Sequence, residues 1–155
     1  VLNAGVHGSR SPVQGSDPGP WQRDVEVNLF GAYHCARAVI PYLKARGSGK
    51  IITIGSGAGH RGPPGISAYA VSKAALWMLT RVLGQELAQY DISVNELIPG
   101  PVETSMNPNA SQPAGSGQTE WSKNPEEVVP LALFLATQPE VGPTAQSFSL
   151  MRRDG

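Results

Sequence analysis

Lys50-Ile-Ile-Thr-Ile-Gly-Ser56-Gly-Ala-Gly-His-Arg-Gly-Pro-Pro-Gly-Ile-Ser-Ala-Tyr69-Ala-Val-Ser-Lys73 is the stretch whose reading decides the fold of this chain. Lys50 to Ile54 is mostly apolar with little alternation, as in a strand buried on both faces of a parallel sheet. The middle is rich in Gly and Pro and reads as a loop. From Ser67 to about Gln89 an apolar period predicts a long helix. Tyr69 and Lys73 are four apart, so on that helix their side chains share one face, one turn apart. A Lys ammonium near a Tyr hydroxyl favours the phenolate, which is expected to draw the Tyr69 pKa down from its ordinary value of about 10. Such a Tyr exchanges a proton with a substrate hydroxyl or carbonyl oxygen. Ser56 lies thirteen residues before Tyr69, at a strand end where its hydroxyl can reach the same oxygen. A Tyr-x-x-x-Lys pair is common by chance. Strand, Ser, Gly-rich loop, pair and apolar helix in this order is far rarer.

On either side of this stretch, short strands alternate with long helices. Val1 to Asn3 reads as a strand end, and Gly5 to Gly19 as a loop. From Pro20 to about Arg46, Val25, Leu29, Ala32, Ala36, Val39, Ile40 and Leu43 recur at helical steps, and Gly47-Ser48-Gly49 ends the helix. Ile92 to Leu97 is the next strand. Asn124-Pro125-Glu126-Glu127 has a capping Asn, Pro at the first helical position and acids in the first turn, which predicts a helix to about Thr137. Ser147 to Leu150 is a last short strand. Strands separated by helices predict an α/β fold with a parallel sheet and right-handed crossovers. Glu103 to Lys123 departs from this alternation. It is polar and long for a connection without structure of its own, as functional loops often are.

These motifs resemble those of the short-chain dehydrogenase/reductase family, and the resemblance covers nearly the whole chain. Asn3-Ala4-Gly5 resembles the family's Asn-Ala-Gly turn after its fourth strand. Asn28, in Val27-Asn28-Leu29-Phe30-Gly31, matches the helical Asn of the family's catalytic tetrad, and Ser56, Tyr69 and Lys73 match the other three members. Pro99-Gly100, followed by Val102-Glu103-Thr104, resembles the Pro-Gly segment that runs along the nicotinamide. The fold implied is a partial Rossmann-like, doubly wound parallel sheet with flanking helices. The chain would be the C-terminal portion of a single such domain, with residues 103–124 as the substrate-covering lid.

The activity implied is hydride transfer between NAD or NADP and a carbonyl or alcohol substrate, most like 3-oxoacyl thioester reduction. Tyr69 would be the acid–base group. Lys73 would tune Tyr69 and bind the nicotinamide ribose. Ser56 would donate to the substrate oxygen, and Asn28 would interrupt its helix and hold a water leading to Lys73. Asn3, Ala4 and Gly5 would lie along the adenosine side of the cofactor, and Pro99, Gly100, Val102 and Thr104 against the nicotinamide and its phosphate. The family's Thr-Gly-x-x-x-Gly-x-Gly turn does not occur ahead of Asn3, so the resemblance implies a fragment or a truncated product. This chain alone is then expected to bind NAD(P) weakly and to be inactive, and a non-catalytic remnant that keeps the fold and oligomer contacts is the alternative. The choice between NAD and NADP stays open.

Composition agrees with part of one domain. Lys plus Arg and Asp plus Glu number twelve each, so no basic field points to nucleic acid or a membrane surface. No run approaches the roughly 20 apolar residues of a bilayer span. The single Cys35 excludes an internal disulfide and suggests a cytoplasmic setting. It is expected to pack inside, among Ala36, Ala38 and Val39. His7, His34 and His60 stand singly, without metal-site spacing, and His60 and Arg61 read as a solvated loop. On the second long helix, Val71, Ala75, Met78, Val82 and Leu83 are expected to face a sheet. Ala70, Ala74, Trp77 and Leu87 remain for another surface. By resemblance the two long helices pair with their copies, and the strand ending at Asn3 would be an exposed edge. A homo-oligomer, dimer or tetramer, is expected.

Overall fold

The computed structural model describes residues 1–8, 10–107 and 122–151. Three parallel strands form one sheet in the order β1 (Gly49–Ile54), β2 (Ile92–Ile98), β3 (Ser147–Ser149). β1 and β2 pair from Gly49 opposite Ile92 to Ile54 opposite Leu97. Leu2 lies on the far side of β1: its N–H donates to Ile52 O at 2.7 Å, and Ile54 N–H donates back to Leu2 O at 3.1 Å. The strand end expected at residues 1–3 is therefore this single parallel bridge.

The helices are α1 (Pro18–Val25), α2 (Gly31–Arg46), α3 (Gly57–Arg61), α4 (Ser67–Leu87) and α5 (Val129–Ala136). Successive strand residues point to opposite faces, so Ile51 and Ile52 enter different cores. On one face Ile51, Ile92 and Val94 pack with Ala36 of α2 and with Leu83 and Leu87 of α4. On the other, Ile52 and Leu97 pack with Leu135 of α5, and Phe148 of β3 joins them. A sheet covered on both faces is the doubly wound arrangement, and it explains why every residue of β2 is buried.

Several sequence expectations need correction. The run from Pro20 to Arg46 is not one α-helix. Glu26–Phe30 forms a π turn between α1 and α2, a widening of the kind often found at functional sites. Gly57–Arg61, expected as loop, is a short helix capped by the Ser56 hydroxyl, which accepts from Ala58 N–H at 3.2 Å. The helix expected from Asn124 starts as a 3-10 turn, Pro125–Val128, before α5; Asn124 and Glu127 cap it reciprocally. Cys35 is exposed rather than packed. On α4 the helical period holds but the phase is rotated. Val71, Met78 and Val82 are exposed, while Ala70 and Leu87 are buried with Leu76 and Leu83.

Candidate active site

A cleft of about 880 Å³ opens at the C-terminal ends of β1 and β2, where open α/β sheets bind their ligands. β1 ends at Ile54, so Gly55 and Ser56 emerge at its mouth. Helix α4 runs beneath and presents Tyr69 and Lys73 to the same space. The Ser56 hydroxyl and the Tyr69 phenol line the same cleft, and Ser56 acts to lower the Tyr69 pKa. Lys73 Nζ donates to Ile54 O at 2.7 Å and stands 5.8 Å from the centre of the Tyr69 ring. The helical spacing and strand end expected from the sequence thus bring all three together.

Asn28 stands behind this group and does not line the cleft. It is wholly buried on the π turn. Its Oδ1 accepts from Val6 N–H at 2.7 Å, and its Nδ2 donates to Val6 O at 2.9 Å and to Ser72 Oγ at 3.0 Å. One amide therefore ties the Asn3–Gly8 segment to α4. Both Asn28 Oδ1 and Lys73 Nζ approach Gly5, at 3.4 and 3.6 Å from where a Cβ would stand. Asn3, Ala4 and Gly5 form one wall of the cleft, and Pro99, Gly100, Val102 and Thr104 form another. Gly100 has φ +71°, and a Cβ there would meet Lys123 Nζ at 3.1 Å and Met151 Cγ at 3.2 Å. The left-handed backbone here suits glycine, and a side chain would crowd the buried Lys123.

The electrostatics differ from the sequence expectation. Tyr69 is pushed above its ordinary pKa by burial, against which the Ser56 hydrogen bond acts. Burial lowers the Lys73 ammonium to about 8, and the Glu96 carboxylate opposes that fall. Loss of hydration outweighs the stabilising partners at both groups.

Two further residues join the site without a local sequence pattern that marks them. The His7 ring stacks on Tyr69 with centroids 4.6 Å apart. His60 is exposed, as expected, but it stands on α3 rather than on a loop, and its Nε2 lies 3.0 Å from the wholly buried Glu96. An acid inside the strand Ile92-Ser-Val-Asn-Glu96-Leu-Ile98 was a visible signal. His7 had no pattern around it.

Of the expected lid, residues 108–121 lie outside the described residues. Its two stems pair: Lys123 N–H donates to Pro101 O at 3.1 Å, and Glu103 N–H to Lys123 O at 2.9 Å. Thr104 and Met106 line the cleft. Among the described residues no His, Cys, Asp and Glu cluster could hold a metal ion, and no helix is long and apolar enough to cross a membrane.

Residues 1–115 match the short chain dehydrogenase family, and the chain belongs to it. It is 40% identical over 145 residues to a short-chain type dehydrogenase/reductase of Picea abies, which covers 88% of this chain and 53% of that protein. It is 34% identical over 144 residues to a 3-oxoacyl-acyl-carrier-protein reductase of Thermotoga maritima, covering 88% and 57%. Among solved structures, a gluconate 5-dehydrogenase from Burkholderia cenocepacia in complex with NADP and tartrate superposes with a TM-score of 0.86 at 32% identity, over 96% of this chain and 61% of that one. The chain spans about half the length of the curated relatives it matches.

Proposed function

We propose that this protein is an NAD- or NADP-dependent oxidoreductase that interconverts a carbonyl and an alcohol, with Ser56, Tyr69, Lys73 and Asn28 as its working residues. The observation that carries this reading is the convergence of Ser56, Tyr69 and Lys73 on one cleft at the strand ends. Gly5 and Gly100 line opposite walls of that cleft, whose volume of about 880 Å³ has room for a flat ring and its sugar. Asn3, Ala4, Gly5, Pro99, Gly100, Val102 and Thr104 would hold that cofactor, and Lys73 would donate to its ribose hydroxyls. When bound, the nicotinamide supplies or accepts a hydride at its C4.

The chain's own groups handle the proton and the oxygen. Tyr69 carries its proton at neutral pH, and burial only moves its pKa further up, so in carbonyl reduction Tyr69 delivers that proton to the substrate oxygen as negative charge develops. Ser56 donates to the same oxygen and steadies that charge, as an oxyanion donor does. In the oxidation direction Tyr69 takes the proton, and the Lys73 charge favours the phenolate. Asn28 fixes the cleft wall through Val6. Residues 103–124 would cover the substrate, of which a 3-oxoacyl compound is the favoured class, as for the Thermotoga relative. The site is read as cytoplasmic and the protein as a homo-oligomer.

The test is Tyr69→Phe in the full-length protein, assayed by nicotinamide absorbance with ketone and 3-oxoacyl thioester substrates. Turnover is expected to fall by about 10² or more, with cofactor affinity little changed. A variant with near-normal turnover would overturn the reading.

A further inference from the structure

Glu96 places a carboxyl group in the driest part of the sheet. It is 0% exposed, in the middle of β2. Burying a carboxylate without partners is costly, so its surroundings must satisfy it. Ser147 Oγ on β3 donates to its Oε2. His60 Nε2 on α3 lies 3.0 Å from Oε2 and 3.3 Å from Oε1, and the His60 ring packs on Trp77 of α4 with centroids 4.8 Å apart. On the β1 side stands Gly55, where a Cβ would overlap the carboxylate. The proton chemistry assigned to Tyr69 makes no use of this cluster.

It adjoins the site through Gly55, which lines the cleft. Gly55 lies between Ile54, whose carbonyl accepts from Lys73, and Ser56. The Glu96 carboxylate therefore packs against the backbone that holds both groups. The groups facing Lys73 are the Ile54 carbonyl from β1, Tyr69 on its own helix and Asn28 across Gly5, and the Glu96 carboxylate of β2 packs on Gly55, the residue next to that carbonyl. Arg61, a further cation on α3, reaches toward Gly57. Glu96 is the acidic member of this set.

We propose that Glu96, clamped by His60 and Ser147, is the counter-charge of the Lys73 ammonium and thereby a positioning residue of the Ser56–Tyr69–Lys73 site. This rests on Lys73 being a working group of that site. The effect of Glu96 on Lys73 in the pKa balance runs in the same direction. Without the carboxylate, Lys73 loses its proton at lower pH. It then no longer offers a charge to Tyr69.

The experiment follows the Lys73 Cε resonance against pH in full-length protein carrying isotope-labelled lysine, with the signal assigned by its loss in Lys73→Arg. Glu96→Gln keeps the shape and removes the charge. Lys73 is expected to titrate about one pH unit lower in it, while Glu96→Asp, which keeps the charge, stays near the unaltered protein. A folded Glu96→Gln in which Lys73 titrates at the unaltered pH overturns the proposal. The unaltered protein gives a second test that needs no variant. The Glu96 Cδ resonance should inflect at the pH where Lys73 titrates, because interacting groups report each other. A flat Glu96 response there overturns the proposal as well. These readouts are independent of turnover: a normal Tyr69→Phe rate would overturn the enzyme reading alone, and absent coupling would overturn the Glu96 assignment alone.

Discussion

The His7 imidazole lies on the Tyr69 ring, the two planes 25° apart and their centroids separated by 4.6 Å. Stacked pairs contribute about 0.5–1.5 kcal/mol beyond the area they bury. His7 therefore fixes the phenol plane from the loop side while Ser56 holds its hydroxyl. In His7→Ala, carbonyl reduction by the full-length protein is expected to slow by about 2- to 10-fold, the range that energy spans. His7→Phe keeps a ring in place and should recover most of the rate. Steady-state kinetics of both variants decide the point. Equal loss in both would assign the effect to the imidazole nitrogens instead.

Lys73 gives a pH signature in stability. Its folded-state pKa of about 8 lies below the ordinary 10.5. Between these values the unfolded chain binds the proton that the folded chain has released. Stability therefore rises with pH in that window, at about 1 kcal/mol per pH unit, and the cost of the buried charge is fully present below it. Tyr69, raised above its ordinary 10.0, acts in the opposite sense only at higher pH. The melting temperature of the unaltered protein should accordingly gain on that of Lys73→Met as pH rises from 8 to 10. A difference between the two proteins that does not change from pH 8 to 10 would refute this.

Asn28 makes three hydrogen bonds from a wholly buried position. Asn28→Ala leaves the Val6 N–H and C=O, in a part-buried segment, without that partner, at up to about 1–3 kcal/mol for each group left unpaired. A clear drop in melting temperature is expected, with faster hydrogen exchange at the Val6 amide. Unchanged exchange at Val6 would show that the amide is held by something other than Asn28.

How much of this site was legible depends on what each residue's neighbours reveal. Ser56, Tyr69 and Lys73 were readable because a strand end and a helical spacing of four fix their relative positions. The turn at Asn28 was readable as an interruption only through the resemblance, since one extra residue per turn hardly disturbs an apolar period. Helix α3 was hidden because Gly57-Ala-Gly-His-Arg61 has poor helix propensity. It forms where Ser56 caps it and where Gly59 lets it press on α4, with a would-be Cβ only 2.7 Å from the Lys73 carbonyl carbon. The phase of α4 does not follow from the sequence, because apolar residues occur all around it and pattern alone does not choose the buried face. Glu96 and His60 meet across 36 residues of sequence, a pairing that no local pattern encodes.

The close contact of Gly59 with α4 carries its own prediction. Gly59→Ala would drive a methyl into the Lys73 and Ala74 backbone, which cannot move aside as a flexible side chain can. Overpacking of this kind typically costs about 1–3 kcal/mol. The shift should reach Lys73, so turnover is expected to fall with stability. Thermal melts and kinetics measured together test this. A stable variant with normal turnover would show that α3 can move away without consequence.

The exposed side of α4 leads to the last prediction. Val71, Met78 and Val82 recur at steps of seven and four on one face and are 51%, 50% and 42% exposed. On α2, Tyr42 is 76% exposed and Tyr33 42%. Apolar residues gathered on the outer sides of the two longest helices are the kind of surface that association covers. A closed dimer would place the same patch of each copy against the other, so one substitution alters both sides of the contact. Light scattering on the full-length protein is expected to give at least twice the monomer mass at low micromolar concentration. Met78→Glu places two like charges at such a contact and should shift the mass toward monomer, leaving the buried face of α4 untouched. A monomeric unaltered protein with a cooperative melt would show that this apolar face is simply solvated.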